Sequence, residues 1–400
     1  MINQQIIKAE NKKRIYQLIS EKAGISRAEL AAMTRLSKTT VSSLVDELVQ
    51  QSYILDEGAV ESKRQGRRPN SLVVNDKKDC VIVCCWKKRI LQIALISTAF
   101  EVESAEEVAL EESMQENPAK MIWVNIRNFQ KTIGKERRVL GICIAIPGMI
   151  DWKQQRMIST VLPVIDDGEI LKTLRKTIET DCPLAVFNDT ACMAYAENAF
   201  GGVDIQNYIY LNVNEGVGAS LIQNGRILRG ATGMGTQFGH FSIDRNGAPC
   251  RCGNRGCLEN RIGEMFLKDR ALECGALQEF AGIDQILFKH VGERAQAGMP
   301  GARRMIQSLA EDMGFALGNL ITVFHPDTIV IGGMGKKLGM LYLEAVQQCV
   351  HAVGFRQFVK DVTIRFTSLG ENAIFIGAAK YYLDMHFDFL EEKNRGLFLY

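Results

Sequence analysis

The chain contains no stretch of about 18 uninterrupted apolar residues, the length that a membrane-spanning helix requires, so no membrane partner is expected. Its opening, MINQQIIKAENKKR, lacks the apolar core of a secretory leader. The 11 cysteines are odd in number and irregular in spacing, which excludes a regular disulfide framework and points to a reducing, cytoplasmic compartment. No internal repeat with a period of about 20 to 50 residues is evident, so a solenoid or propeller is not expected. The formal net charge is only +2, so the molecule as a whole is not a basic nucleic-acid binder. The charge is uneven, however: residues 1–78 carry 14 Lys or Arg against 9 Asp or Glu, and the remainder is slightly acidic. A basic head on a near-neutral body implies one domain that meets phosphate and one that does not.

The 400 residues suffice for two or three domains. Residues 8–19 read as a helix with Ile15, Leu18 and Ile19 on one face. Ser26 followed by Glu29 is a capping-box start for a second short helix. Arg35 and Leu36 make a turn, and Ser37 opens a third helix whose apolar stripe is Val41, Leu44, Val45 and Leu48. Two short strands around the basic segment ESKRQGRRPN complete the order helix, helix, turn, helix, wing, a winged helix-turn-helix.

Such a head seats its second motif helix in the major groove of double-stranded DNA, with the first turn of that helix against the base edges. Here that turn holds Ser37, Lys38, Thr39 and Thr40, with Ser43 one turn on, and Arg27 and Arg35 flank it where they could grip the backbone. Lys63, Arg64, Gly66, Arg67, Arg68 and Pro69 make the wing an extended cationic segment, and Arg in a narrow minor groove reads A/T-rich shape. The competing reading of the helices alone is a protein-contact module; the basic wing favours DNA.

Beyond Asn75 strands alternate with helices, which implies an α/β body of two lobes. Within it GHFSIDRNGAPCRCGNRGCLE places His240, Cys250, Cys252 and Cys257 close together. Three thiolates and an imidazole suit tetrahedral zinc, and four protein ligands make a closed structural site. Gly253 and Gly256 permit the tight turns of such a knuckle. The alternative is three reduced cysteines on a loop.

Together these segments resemble the ROK family, across residues from about 10 to about 385. CRCGNRGCLE is similar to that family's zinc motif, with His240 from GH as the fourth ligand. SRAEL, LSKTTVS and GRRP are similar to the head of its repressors, and IPGMID, FNDT and GGMG to landmarks of the body. Within the family the head resembles the xylose-type repressors. The resemblance implies an actin-like (ribonuclease H-like), two-lobed ATPase-type α/β body behind the winged head. The implied domains are 1–75 for the head, 76–200 for a first lobe completed by a C-terminal helix at 372–386, and 201–371 for a second lobe with the zinc knuckle. It also implies one zinc per chain, a sugar or sugar-derived effector bound between the lobes, operator DNA as partner, and a homodimer or tetramer. The sugar contacts carried over are Gly148, Asn188, Asp189, Gln237, His240 and Glu259, Asp189 being the general base in the kinases of the family. Carboxylate, amide and imidazole are what polyol recognition needs, since each sugar hydroxyl both donates and accepts.

Several positions depart from the kinases. The first phosphate loop has Cys84 and Trp86 where the family has Asp and Gly, and the second reads Asn214, Glu215, Gly216 where it has Gly-Thr-Gly. A carboxylate at the γ-phosphate position repels the nucleotide. The expectation is therefore a non-enzymatic repressor of carbohydrate-utilisation genes. An active sugar kinase with a DNA-binding head is one alternative. A regulator controlled by a protein partner is another, because Gln237 replaces the family Glu and the closing loop STVLPVIDD is unusually apolar. Asn188 and Asp189 could equally cap the following helix, and Glu259 could cap its own helix or pair with Arg261.

Overall fold

The computed structural model describes residues 4–59, 70–110, 117–151, 154, 156–159, 161–162, 169–180, 182–202, 206–231, 233, 235–385 and 397–399. The head begins with α1 (Gln4–Glu21), α2 (Arg27–Thr34) and α3 (Lys38–Gln50). Ser26 caps α2 through the expected reciprocal box with Glu29, and Arg35 ends that helix in the left-handed conformation, φ 61°. β1 (Ile54–Ala59) and β2 (Asn70–Val74) pair antiparallel as the base of the wing. The wing tip with Lys63, Arg64, Gly66, Arg67, Arg68 and Pro69 lies outside the described residues. Ile15, Ile19, Leu30, Val41, Leu44, Val45, Leu48, Ile54 and Leu72 form one buried core, so the stripe read on α3 is the inward face.

No linker separates the head from the body, because β3 (Asp79–Trp86) starts four residues after Asn75. β3 is buried along its whole length, as a central strand covered on both faces must be. β4 (Ile90–Ser97) returns through a tight Lys87–Ile90 turn, and β5 (Val102–Ala109) comes next. α4 (Pro118–Gln130) then leads to β6 (Arg138–Ile146), parallel to β3. After a short hairpin, β7 (Met149–Asp151) with β8 (Arg156–Ile158), come α5 (Ile170–Thr177) and β9 (Leu184–Asn188).

α6 (Asp189–Phe200) opens the second body segment. β10 (Tyr208–Val213), β11 (Val217–Gln223) and β12 (Arg226–Ile227) form an antiparallel run. A helical stretch then comprises α7 (Glu259–Ile262), α8 (Leu267–Glu273), α9 (Phe288–Gln296) and the 25-residue α10 (Pro300–Phe324). β13 (Thr328–Gly332), α11 (Met340–Val353), α12 (Arg356–Val359) and β14 (Thr363–Phe366) complete it. The chain ends with α13 (Ala373–Met385) and β15 (Leu397–Leu399).

Two sheets carry the body. One has the order β15-β9-β6-β3-β4-β5 and the other β12-β11-β10-β13-β14. Setting β15 aside, each is an antiparallel three-strand meander followed by two crossover strands, the same five-strand order twice. That duplication is the expected actin-like, ribonuclease H-like architecture. β15, parallel to β9, lies beyond the sequence reading, which stopped at the preceding helix.

The chain divides into two compact units. The first comprises Met1–Ile146, Ile170–Phe187 and Ile374–Tyr400, and the second Pro147–Glu169 and Asn188–Ala373. The head thus falls in the first unit, and α13 packs there as well: Tyr382 donates to the Leu140 carbonyl and Tyr381 stacks on Phe187. A Cβ on Gly141 would overlap the Tyr382 ring, which is why this strand position is bare. The boundary read at residue 200 falls elsewhere, since 147–169 and 188–200 join the second unit. The reason is local: Asn188 Nδ2 donates to the Gly148 carbonyl at 2.8 Å, and α6 packs on β10 and β11.

Leu48 is fully buried in the head core. Leu48→Ala is expected to cost about 2–5 kcal/mol and to speed hydrogen exchange across α1 to β1, while exchange in the β10–β13 sheet is unchanged. Unchanged exchange in the head would contradict a head core closed around Leu48.

Candidate functional site

The outward side of α3 is the candidate DNA-reading face. Ser37 caps the helix by accepting from the Thr40 backbone N–H, and its hydroxyl lies 2.8 Å from those of Thr39 and Thr40. Ser37, Lys38, Thr39, Thr40 and Ser43 are exposed, as is Arg35. Lys38, Thr39, Ser42, Ser43, Asp46 and Gln50 line a shallow open groove along the helix. Arg27 does not stand clear of this face: its guanidinium holds Asp46 at 2.7 Å and Asp56 at 3.3 Å. Lys8 and Lys12 hold Glu47. These pairs screen the two acids of α3 that would otherwise repel phosphate, a role that sequence proximity did not suggest.

The second candidate region lies wholly in the second unit. The 3-10 turn Phe238–His240 delivers His240, and a small loop delivers the three cysteines. That loop is closed by Cys250 N–H to Asn254 O, Gly253 N–H to Cys250 O, and Gly256 N–H to Ala248 O. Gly253 and Gly256 take φ of 92° and 59°, where side chains are strained, and a Cβ on Gly256 would overlap the Asp244 carbonyl. The sequence reading thus named the right glycines. His240, Cys250, Cys252 and Cys257 bring their ligand atoms within 4.8 Å of one another. His240 Nδ1 is 3.7 Å from Cys250 Sγ, and Cys252 Sγ is 3.7 Å from Cys257 Sγ. Bonds of about 2.3 Å to a tetrahedral ion place sulfurs about 3.8 Å apart, close to these two separations, so the four residues could hold a metal ion. Burial and the neighbouring sulfurs push the Cys250 and Cys257 thiols up. A bound cation would reverse that by taking thiolates.

Beside this knuckle lie the polyol-contact candidates. Asn188 fills its capping role, its Oδ1 accepting from Ala191 N–H at 2.9 Å while its amide fixes Gly148. Asp189 accepts from the Thr190 backbone at 2.6 Å and from Asn212 Nδ2 at 3.3 Å. Glu259 is buried and accepts from Val217 N–H at 3.0 Å, so it orients the β11 backbone rather than pairing with Arg261, which holds Asp312. Gln237 is exposed and donates to the Gly235 carbonyl. A Cβ on Gly216 would overlap Glu259, and one on Gly239 would overlap the Val217 carbonyl, so this backbone is packed to contact. Most of the closing loop STVLPVIDD lies outside the described residues.

Asn212, which the sequence did not single out, and Asn214, read there only as part of a phosphate loop, join this network. Asn212 is buried and bonds both Asp189 and Thr190. Asn214 donates to Asn212 Oδ1 at 2.7 Å and accepts from Met334 N–H at 2.7 Å. The signal was present: two asparagines at i and i+2 share one face of the strand end. The Asn214–Gly216 turn is therefore bonded to the Gly332–Met334 turn by the protein's own side chain. Trp86 is fully buried, so the β3–β4 turn presents no small-residue cradle there.

Comparison with known proteins decides the family. The ROK family profile matches residues 89–384, and a winged helix-turn-helix DNA-binding profile matches residues 8–54. The chain belongs to the ROK family. A xylose repressor of Caldicellulosiruptor bescii is 28% identical over 390 residues, covering 94% of this chain and 96% of that protein. A xylose repressor of Bacillus subtilis is 26% identical over 390 residues, covering 97% and 98%. The crystal structure of a ROK family transcriptional regulator, a homolog of the E. coli MLC protein, superposes with TM-score 0.79 at 26% identity, covering 94% of this chain and 97% of that one. A ROK glucokinase from Streptomyces griseus in complex with glucose and AMPPNP superposes with TM-score 0.63 at 23% identity over 75% of this chain and 98% of its own, which shows the fold of the body alone. Among the described residues no helix is long and apolar enough to cross a membrane.

Purified protein is expected to carry one tightly held metal ion per chain, and Cys252→Ser to lose it and expose the 238–258 segment to proteolysis. Metal analysis that finds none in protein prepared without chelator would contradict this.

Proposed function

We propose that this ROK-family chain is a DNA-binding transcriptional repressor of carbohydrate-utilisation genes, released when a sugar or sugar derivative binds its body. The observation that carries the reading is the joining, in one chain, of an exposed reading helix to a body whose Asn188, Asp189 and Glu259 are held in place by backbone contacts. In this reading residues 1–75 read DNA, 76–146 and 170–187 form a first lobe with the C-terminal helix, and 147–169 with 188–373 form a second lobe with the knuckle. Lys38, Thr39, Thr40 and Ser43 face base edges and phosphates, Ser37 sets the helix start, Arg35 meets the backbone, and Arg67 and Arg68 extend the contact through the wing. Arg27 acts mainly by neutralising Asp46. The sugar is held by Asp189, Asn188 and Glu259 and completed by Gln237, His240 and the Gly148 backbone.

Zinc suits the knuckle best, because three thiolates and an imidazole match its preferences. His240, Cys250, Cys252 and Cys257 would hold one structural ion. With Nδ1 on the cysteine side, the Nε2 of His240 is left for the sugar, so the knuckle would fix the tautomer and the ring orientation. The protein works in the cytoplasm, as a homodimer or tetramer, since helix-turn-helix proteins read paired half-sites.

The retained Asp189 favours a sugar kinase as the second reading. Against it, Asn214 bridges the two Gly-rich turns and Glu215 adds a negative charge where phosphate would lie. The protein is expected to show no ATP-dependent phosphorylation of hexoses, pentoses or amino sugars. Turnover that is lost in Asp189→Asn would establish the kinase instead.

The decisive test is a thermal-shift screen of sugars and sugar phosphates, D-xylose among them, followed by operator release with the hit. Asp189→Ala is expected to keep its metal, fold and DNA binding but to lose release, giving a repressor that stays on its operator. Release by Asp189→Ala at the wild-type sugar concentration would move the sensor to a protein-partner surface.

A further inference from the structure

Within the first unit, one guanidinium joins the head to the lobe. Arg138 opens β6 and sits in register with Asp79 at the start of β3. Its Nε and Nη2 each donate to one Asp79 oxygen at 2.7 Å. Its Nη1 donates to the Gln51 carbonyl at 2.8 Å and its Nη2 also to the Ser52 carbonyl at 3.2 Å. The guanidinium carbon lies 3.8 Å from the centroid of the Tyr53 ring. Gln51 is the C-cap of α3 and Ser52 takes φ 58°, so these are terminal carbonyls of the reading helix, which have no partner inside it. A cation there also meets the negative end of the helix dipole. Asn75 strengthens the joint, its amide donating to the Ser52 carbonyl at 3.1 Å while its own carbonyl accepts from Asp79 N–H at 3.0 Å. Gln17 Nε2 of the head also donates to the Asp384 carbonyl at 2.8 Å.

We propose that Arg138 is the positioning residue that couples the reading helix to the body, so that a ligand-driven shift of the lobe turns α3 with it. This rests on the sugar-released repressor reading above. Three observations converge on it. Asp79 is 0% exposed, so its charge depends on Arg138 and fixes the guanidinium in one place. All the donors used leave one planar fork, which a lysine ammonium cannot reproduce. The strand that begins at Arg138 runs nine residues to Ile146, and Gly148, whose carbonyl holds Asn188, comes two residues later. A single strand therefore carries the head clamp at one end and leads into the ligand-contact segment at the other.

The test uses the full chain, an operator duplex selected from a random-sequence library against it, and D-xylose. The variants are Arg138→Lys and the paired Asp79→Leu/Arg138→Met, the latter leaving no unpaired buried charge. In scanning calorimetry of the wild type, operator duplex raises the melting of head and first lobe together, since a ligand stabilises whatever unfolds with its site. In the paired variant only a separate head transition moves, and Arg138→Lys is intermediate. In binding assays D-xylose weakens wild-type operator affinity by a factor within the usual allosteric range of about 5 to 150, and the paired variant binds operator but shows less than about a 2-fold response. A purely structural Arg138 would lower stability without dividing the transitions, and joint melting with wild-type release in the paired variant overturns the proposal. If D-xylose leaves the wild type on its operator, the sugar reading fails, and the calorimetry still decides the coupling.

Discussion

Asp79 is a carboxylate with no access to water, and the first unit is arranged around the need to answer it. Burial pushes its carboxyl above the usual range, and the adjacent Arg138 guanidinium draws it back only part of the way. A buried ion pair of this kind is a poor source of net stability and a good source of register, because a displaced partner leaves an uncompensated charge. Here the register it sets is that of the head. The same guanidinium closes the end of the reading helix at Gln51 and Ser52 and stacks on Tyr53, which itself meets Tyr16 of α1 edge-on. A winged head on a flexible tether would need none of this.

In the second unit the comparable constraint is a run of amides. Asn188 joins the 147–169 segment to α6, Asn212 holds Asp189, and Asn214 holds the Gly332–Met334 turn. Amides both donate and accept, so each link fixes a neutral geometry, and the one acid in the run that would meet a sugar, Asp189, accepts from the Thr190 backbone and hydroxyl and from the Asn212 amide. A phosphotransferase needs its Gly-rich turns open to a nucleotide. Here Asn214 bridges them, which suits a site that senses a sugar without consuming it.

Much of this was legible in the sequence because it is local. The Ser26–Glu29 box, the Ser37 cap, the inward stripe of α3 and the glycines of the knuckle each depend on residues within a few positions, and each is found as read. The knuckle was legible because the four residues that could hold a metal fall between residues 240 and 257. What was missed is long-range. Arg138 reaches carbonyls 86 and 87 residues away. Arg27 flanks the turn in the sequence, and its partners, Asp46 and Asp56, come close to it only after folding. The boundary at residue 200 was misplaced because periodicity does not reveal that the chain enters the second unit at Pro147, leaves it, and returns at Asn188. β15 was missed because three residues of strand carry no pattern of their own.

The central claim is that one molecule links a sugar in its body to DNA on its head, and linkage is reciprocal. The most direct test is calorimetric titration of the full chain with the sugar that gives the largest thermal shift, with and without saturating operator duplex. The account predicts that operator weakens sugar binding by the same factor by which sugar weakens operator binding. Sugar affinity that is identical in the two titrations would contradict it.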